Sequence, residues 1–358
     1  MIDILPISLL ILLFYGAKSV KPWLSLNTEE YLSVNTGKNY RGFFAMVVVF
    51  HHLAQRTQTG VVFHEFRLVG YLAVAFFFFL SGYGLQKSYI TKSTEYRKGF
   101  LQNRIPSVLI PYIIITAVYW LMYFFMGEFY SLKGIIFSII DGHPIASNSW
   151  YIINILIFYI FYWCLMLICG KHYFLMIIFG AIWYYLYIVF CEKMGYGAWW
   201  YNANHLLIVG MFWAAYENTI LNILERTYVW LAPVIWVSFG ILCHFSGEIE
   251  KLININIPYI STSLVITIFK AAFFVLSVIM LVLKVQIGNK VLRFLGDISL
   301  EIYISHGLFI HFLRSDFIYI GNELLWCTAV LIGTIAFSYA LHIIFQFILN
   351  KYKQLCCK

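Results

Sequence analysis

The sequence predicts an all-α integral membrane protein, a bundle of about ten transmembrane helices preceded by one marginal N-terminal helix. Three observations predict it. The chain of 358 residues is 62% hydrophobic, 20% aromatic and only 11% charged, whereas a soluble surface needs about a quarter charged residues. Apolar stretches of about 17 to 25 residues, enough for a hydrocarbon core of about 30 Å, recur along the whole chain. No stretch alternates polar and apolar with a period of two, so a barrel is excluded, and lipid-exposed backbone must then satisfy its own hydrogen bonds as helix.

Taken in order, residues 3–15 form a short apolar run behind Asp3 and Pro6. No A-x-A-like cleavage site follows, so the run reads as a marginal helix rather than a signal peptide. The expected spans are 41–57, 68–86, 105–126, 150–169, 173–190, 204–216, 228–244, 262–283, 297–313 and 324–349. They form a single transmembrane domain over 1–358, with residues 1–40 as marginal helix and cytoplasmic segment, 41–349 as the core and 350–358 as a cytoplasmic tail. No stretch suffices for a separate soluble domain, and no sequence repeat marks an inverted-repeat transporter.

Lys and Arg collect in cytoplasmic loops. If residues 17–41 are cytoplasmic, that side takes most of the 24 basic residues, including Lys18, Lys21, Lys38, the whole of the Lys87 to Arg104 stretch, Lys290 and Arg293. The opposite side takes only Arg56, Arg67, Lys133, Lys193, Lys251 and Arg314, and Lys270 falls inside a span. The net charge of +8 is therefore mostly an insertion signal, not a nucleic-acid footprint. The seven cysteines show neither a C-x-x-C pair nor a zinc spacing, so no metal is expected; Cys356 and Cys357 stand beside a basic tail where a lipid could be attached.

Ionisable residues inside spans are costly and point to function. In YRGFFAMVVVFHHLAQR, eleven helical steps from Arg41 to His52 fall within about 20° of three full turns, so Arg41, Ala45, Val48 and His52 share a stripe, with about 16 Å between its ends. His51 lies about 80° aside. The pattern suits a pore wall; the plainer alternative is an Arg41 anchor and two histidines bonding neighbouring helices. YRKGFLQNRIPSVLIPY brings Arg97, Lys98 and Arg104 to a membrane entrance, where they can bind phosphates or merely orient the chain. In SLEIYISHGLFIH, Glu301 and Ser305 share one helix face and His306 lies about 140° from Glu301. The structural alternative is that Asp297 caps this helix, Glu301 neutralises Lys270 and His306 packs.

The chain thus reads R-G-x9-H-H, then FFFFLSGYGL, a basic GFLQNRIP, SWYIIN and ISLEIYISH. This ordered series resembles the acyltransferase-3 family of membrane acyltransferases, which includes bacterial O-acetyltransferases of cell-surface polysaccharides, and the resemblance runs from Arg41 to the last span. It implies that Arg41 and His52 are the family's first-span arginine and histidine, with His51 an extra that some members share. Ser81 falls in the F-F-x-L-S-G-F motif over Phe77 to Tyr83, and Arg104 on the arginine motif, with Arg97 and Lys98 nearby. Gln102 and Asn103 stand where many relatives carry another arginine. Trp150, Tyr303 and His306 match the later motifs, and Glu301 stands beside them. No esterase-like extracellular domain of the kind fused to some relatives is expected after the last span.

The resemblance implies an enzyme of the bacterial plasma (inner) membrane. It would take an acyl group, foremost acetyl, from cytoplasmic acetyl-CoA and place it on a hydroxyl of a lipid-linked or surface glycan. Arg104 with Arg97 or Lys98 would hold the nucleotide phosphates, and His52 would act as general base or as transient acyl carrier. The expected partners are membrane lipid and the glycan acceptor, with no nucleic acid and a homo-oligomer left open. A flippase for lipid-linked sugars is the alternative, distinguished by the absence of thioester turnover; a structural or sensory subunit would tolerate loss of His52.

Overall fold

Helix starts follow from capping chemistry at three of the points that matter. Ser33, Ser261 and Asn289 accept the backbone N–H of Thr36, Leu264 and Leu292, satisfying one of the first-turn donors that each helix leaves orphaned. The computed structural model describes residues 1–19, 25–253 and 255–356. Lys21, Cys357 and the side chain of Cys356 lie outside the described residues.

The helices are α1 Ile4–Phe14, α2 Val34–Ala54, α3 Val61–Glu65, α4 Gly70–Phe125, α5 Leu132–Ile140, α6 Trp150–Ile168 and α7 Tyr173–Lys193. There follow α8 His205–Ala215, α9 Glu217–His244, α10 Ser246–Leu252, α11 Thr262–Val282, α12 Lys290–Asp297, α13 Ser299–Phe312 and α14 Glu323–Cys356. The chain also forms a two-residue ribbon: β1, Lys18–Ser19, pairs antiparallel with β2, Val285–Gln286, with Lys18 opposite Gln286 and Ser19 opposite Val285.

Six helices among the described residues, α4, α6, α7, α9, α11 and α14, are long and apolar enough to cross a membrane. The expected count of ten is not reproduced by that measure, for three physical reasons. The spans 68–86 and 105–126 lie on the two helical arms of α4, which meet at a kink at Ser93 (φ 48°, ψ −122°), a positive-φ conformation rare for serine, and so count as one element. The spans 204–216 and 297–313 become α8 and α13, of 11 and 14 residues, and both are buried by protein along most of their length, so neither has to match the lipid thickness. The span 41–57 becomes α2, which starts at Val34 in a polar stretch, so that Arg41 lies in the helix interior. Among the long helices, α7 exposes Phe174, Ile178, Ile182, Leu186 and Phe190 outward, as a lipid-facing helix must.

Close approach of backbones joins α4 to α8 and α2 to α12. A Cβ at Gly82 of α4 would lie 1.9 Å from the Leu207 carbonyl oxygen of α8, and one at Gly210 of α8 would lie 2.2 Å from the Phe79 carbonyl oxygen of α4. Gly42 of α2 and Gly296 of α12 meet the facing helix in the same way, at 2.3 Å from Leu292 O and 2.0 Å from Lys38 O. Small residues at helix crossings are how membrane bundles gain van der Waals contact when lipid supplies no hydrophobic drive. The outcome is a central group, α2 with α4, α8 and α13, that carries the polar residues.

Candidate active site

The Arg41 to His52 stripe runs the length of α2 and meets a cavity at each end. The first cavity, about 840 Å³, is lined at the N-terminal end of α2 by Arg41, by Ser81, Lys87 and Arg104 of α4, by Tyr151 and Tyr159 of α6, and by Glu217. The second, about 430 Å³, is lined at the C-terminal end of α2 by His51, His52 and Gln55, with Ser147, Asn148 and Trp150. Tyr303 of α13 lines both. The single pore wall expected from the stripe is thus divided: Arg41 faces one chamber and His52 the other.

The histidine chamber is ordered by a chain of hydrogen bonds that fixes each tautomer. His51 Nδ1 lies 2.9 Å from the Phe66 carbonyl oxygen, which can only accept, so Nδ1 carries the proton and Nε2 the lone pair. Gln55 Nε2 donates to that lone pair at 3.1 Å, which turns its Oε1 toward His52 Nδ1 at 3.3 Å. His52 Nδ1 therefore donates, and His52 Nε2 is left with the basic lone pair. Gly70 makes the arrangement fit: a Cβ there would stand 2.2 Å from His51 Cδ2.

His306 stacks on His52 with ring centroids 5.1 Å apart and planes at 22°. Its Nδ1 donates to Ile302 O at 3.1 Å, and its Nε2 accepts from Asn148 Nδ2 at 3.2 Å. Asn148 sits at φ 63° in the loop before α6, a conformation asparagine tolerates, and its carbonyl accepts the Tyr303 hydroxyl at 3.0 Å. One loop residue thus holds both the ring behind His52 and the ring between the chambers. The opposite face of α13 is a fastening: Glu301 Oε1 lies 2.8 Å from His342 Nδ1, and the hydroxyls of Ser305 and Ser338 are 2.9 Å apart. Glu301 therefore pairs with His342, not with Lys270, and Asp297 bonds Lys38 at 2.6 Å in place of capping α13.

In the arginine chamber, Arg104 Nη2 donates to the Tyr96 hydroxyl at 3.2 Å, with its guanidinium 5.8 Å from the Tyr96 ring centre. Arg41 Nε is buried and has no hydrogen-bond partner among the described residues. Arg97 and Lys98 line neither chamber. What sequence reasoning missed is the opposite wall. Glu217 is buried and accepts from the hydroxyls of Tyr31 at 2.6 Å and Tyr83 at 2.7 Å and from the Lys87 ammonium. In the sequence Lys87 reads as one more orientation charge and Glu217 as a loop residue. Gln55, by contrast, carries a signal: it stands three and four residues beyond the two histidines, the helical spacing for contact.

Among the described residues no group of three His, Cys, Asp or Glu side chains is placed to hold a metal ion. No curated protein and no solved structure matches the chain. A family model, described as an acyltransferase domain, matches residues 39–343, from just before Arg41 into α14 and so across both chambers. The chain belongs to the acyltransferase-3 family and is a membrane acyltransferase.

Proposed function

We propose that the protein transfers an acyl group, most simply acetyl, from acyl-CoA in the arginine chamber to a hydroxyl of a cell-surface or lipid-linked glycan that enters the histidine chamber. The observation that carries this reading is the division of one helix between two chambers, cations at one end and an oriented imidazole at the other, with Tyr303 common to both. A volume of about 840 Å³ falls in the range of small-molecule sites. Arg41 and Arg104 supply planar donors suited to phosphate oxygens, and the Glu217 network neutralises Lys87 beside them.

In this mechanism the acceptor hydroxyl gives its proton to His52 Nε2 as its oxygen attacks the thioester carbonyl. The carbon to sulfur bond then breaks, and the proton passes from His52 to the departing CoA thiolate. The products are an ester and free CoA, and the imidazole returns to its starting tautomer. Gln55 accepts from His52 Nδ1 throughout and favours the transient imidazolium. Trp150 offers a flat face for a sugar ring. Arg97 and Lys98 remain candidates for donor capture at the rim, and the arginine chamber faces the cytoplasm of a bacterial inner membrane.

The test uses purified protein, donor binding by calorimetry and acceptor acylation by NMR. Arg104→Ala should weaken acetyl-CoA binding by about tenfold to a hundredfold, the worth of one charge-assisted contact. His52→Ala should bind the donor normally and slow transfer by about 10² to 10⁴, the scale of general-base catalysis. Unchanged donor affinity in the first variant, or full transfer in the second, would overturn the assignment.

A further inference from the structure

A third cavity, of about 450 Å³, lies on the arginine side of the bundle and adjoins the first chamber at Ser33, which lines both. Lys18, Lys290 and Arg293 line it, and none of the three makes an ion pair among the described residues. The one carboxylate among its described lining residues, Glu30, accepts a hydrogen bond from Gln286 Nε2. The N-terminal turn of the 21-residue α2, through Asn35, and that of α12, through Lys290, both reach it, adding the positive ends of two helices. The electrostatics call for an anion.

Asn39 gives an independent sign of a ligand. It lines the cavity, is only 7% exposed, and donates through Nδ2 to Ile287 O at 3.3 Å, while its Oδ1 has no partner among the described residues. A buried acceptor of this kind wants a donor, so the bound group should carry hydroxyl or N–H as well as negative charge. The cavity's position supplies the rest. Asn289, at its edge, donates to Leu12 O at 2.8 Å and Tyr15 O at 3.3 Å, tying it to the end of α1. That helix exposes Ile4, Ile7, Leu10, Ile11 and Phe14. An apolar exposed helix ending at a cationic cavity marks the headgroup level of a bilayer.

We propose that this cavity binds a phosphate-ester group bearing hydroxyl donors, and that its source is the headgroup of an anionic membrane lipid. The cations take the phosphate oxygens, and Asn39 Oδ1 accepts from the headgroup hydroxyl.

The full chain, purified in detergent, would be titrated with short-chain phosphatidylglycerol, short-chain phosphatidylcholine, inorganic phosphate and 3′,5′-adenosine diphosphate. Phosphatidylglycerol should bind saturably, more weakly as salt rises, and phosphatidylcholine, which lacks both net charge and donors, should bind much less. Lys290→Gln combined with Arg293→Gln should weaken phosphatidylglycerol binding by about tenfold to a hundredfold, and Asn39→Asp should do the same by adding a negative charge. Should the double variant fail to fold, Lys18→Gln alone carries the comparison. Arg104→Ala, in the adjoining chamber and outside this cavity's lining, should leave this binding unchanged, so the site stands or falls independently of the donor assignment. Phosphate or adenosine diphosphate bound by the parent and lost in the cavity variants, with phosphatidylglycerol bound by neither, would overturn the lipid source and assign a soluble one. Equal affinity of parent and cavity variants for every probe would overturn the site itself.

Discussion

At the scale of single residues, the decisive contacts around His52 come from side chains with no charge. Gln55 reads the tautomer of His51 and imposes the complementary one on His52. Gln55→Leu should therefore slow transfer by about tenfold, the worth of one neutral hydrogen bond, while donor affinity stays put. Gln55→Glu should recover part of the rate, with an altered pH profile, because a carboxylate still accepts from His52 Nδ1. Gly70→Ala should act on the same chain from the other side, since its methyl would strike the His51 ring. Steady-state rates measured beside calorimetric donor binding separate these outcomes from loss of fold. Arg41 and His52 were legible in the sequence because charge inside a span is conspicuous. Asn148 was not, because its two contacts, to Tyr303 and His306, join residues more than a hundred and fifty positions apart. The helical offset sets His51 aside from the stripe; in the structure it lines the same chamber as His52 and reaches it through Gln55.

At the scale of elements, α13 is a helix with two duties, fastening one face to α14 and presenting the other to α2. Glu301→Ala would leave the half-buried His342 without its partner and should cost about 1–3 kcal/mol of stability, measured as thermal unfolding in detergent. Glu301→Gln keeps an acceptor and should cost less. A sharper prediction concerns the crossing of α4 and α8. Gly82→Ala places a methyl against the Leu207 backbone carbonyl, which no rotamer change relieves, so it should destabilise by about 1–3 kcal/mol or more and reduce the yield of monodisperse protein. Hydropathy found the segments that became α8 and α13 but could not tell that protein, not lipid, would surround them. It likewise read residues 87–104 as a loop, whereas two helical arms extend into this stretch and meet at a kink at Ser93. Ser93→Gly should relieve the positive-φ backbone, worth about 1–3 kcal/mol, against about 0.5–1 kcal/mol of added chain entropy, so it should leave the fold intact without lowering thermal stability.

At the scale of the whole molecule, the distribution of Lys and Arg is the support for a cytoplasmic arginine chamber. A cysteine at the exposed Thr94 should react with an impermeant thiol reagent only after cells are opened; labelling of intact cells would reverse the orientation. The helical class and the order of motifs were legible in the sequence, because each depends on composition or short spacing. The meeting of the two chambers was not, since Tyr303, which lines both, is brought there by the packing of α13. That ring has a consequence for electrochemistry. On the proposed reading, in which the two chambers open to opposite faces, the bundle must still hold the membrane potential, and Tyr303, anchored through its hydroxyl to Asn148 O, lines both chambers. Tyr303→Ala should therefore short-circuit the protein: proteoliposomes carrying it should lose a pre-set proton gradient faster than those carrying the parent chain, and should hydrolyse acetyl-CoA to acetate without any acceptor present. Tyr303→Phe, which keeps the ring and gives up the hydroxyl, should still insulate.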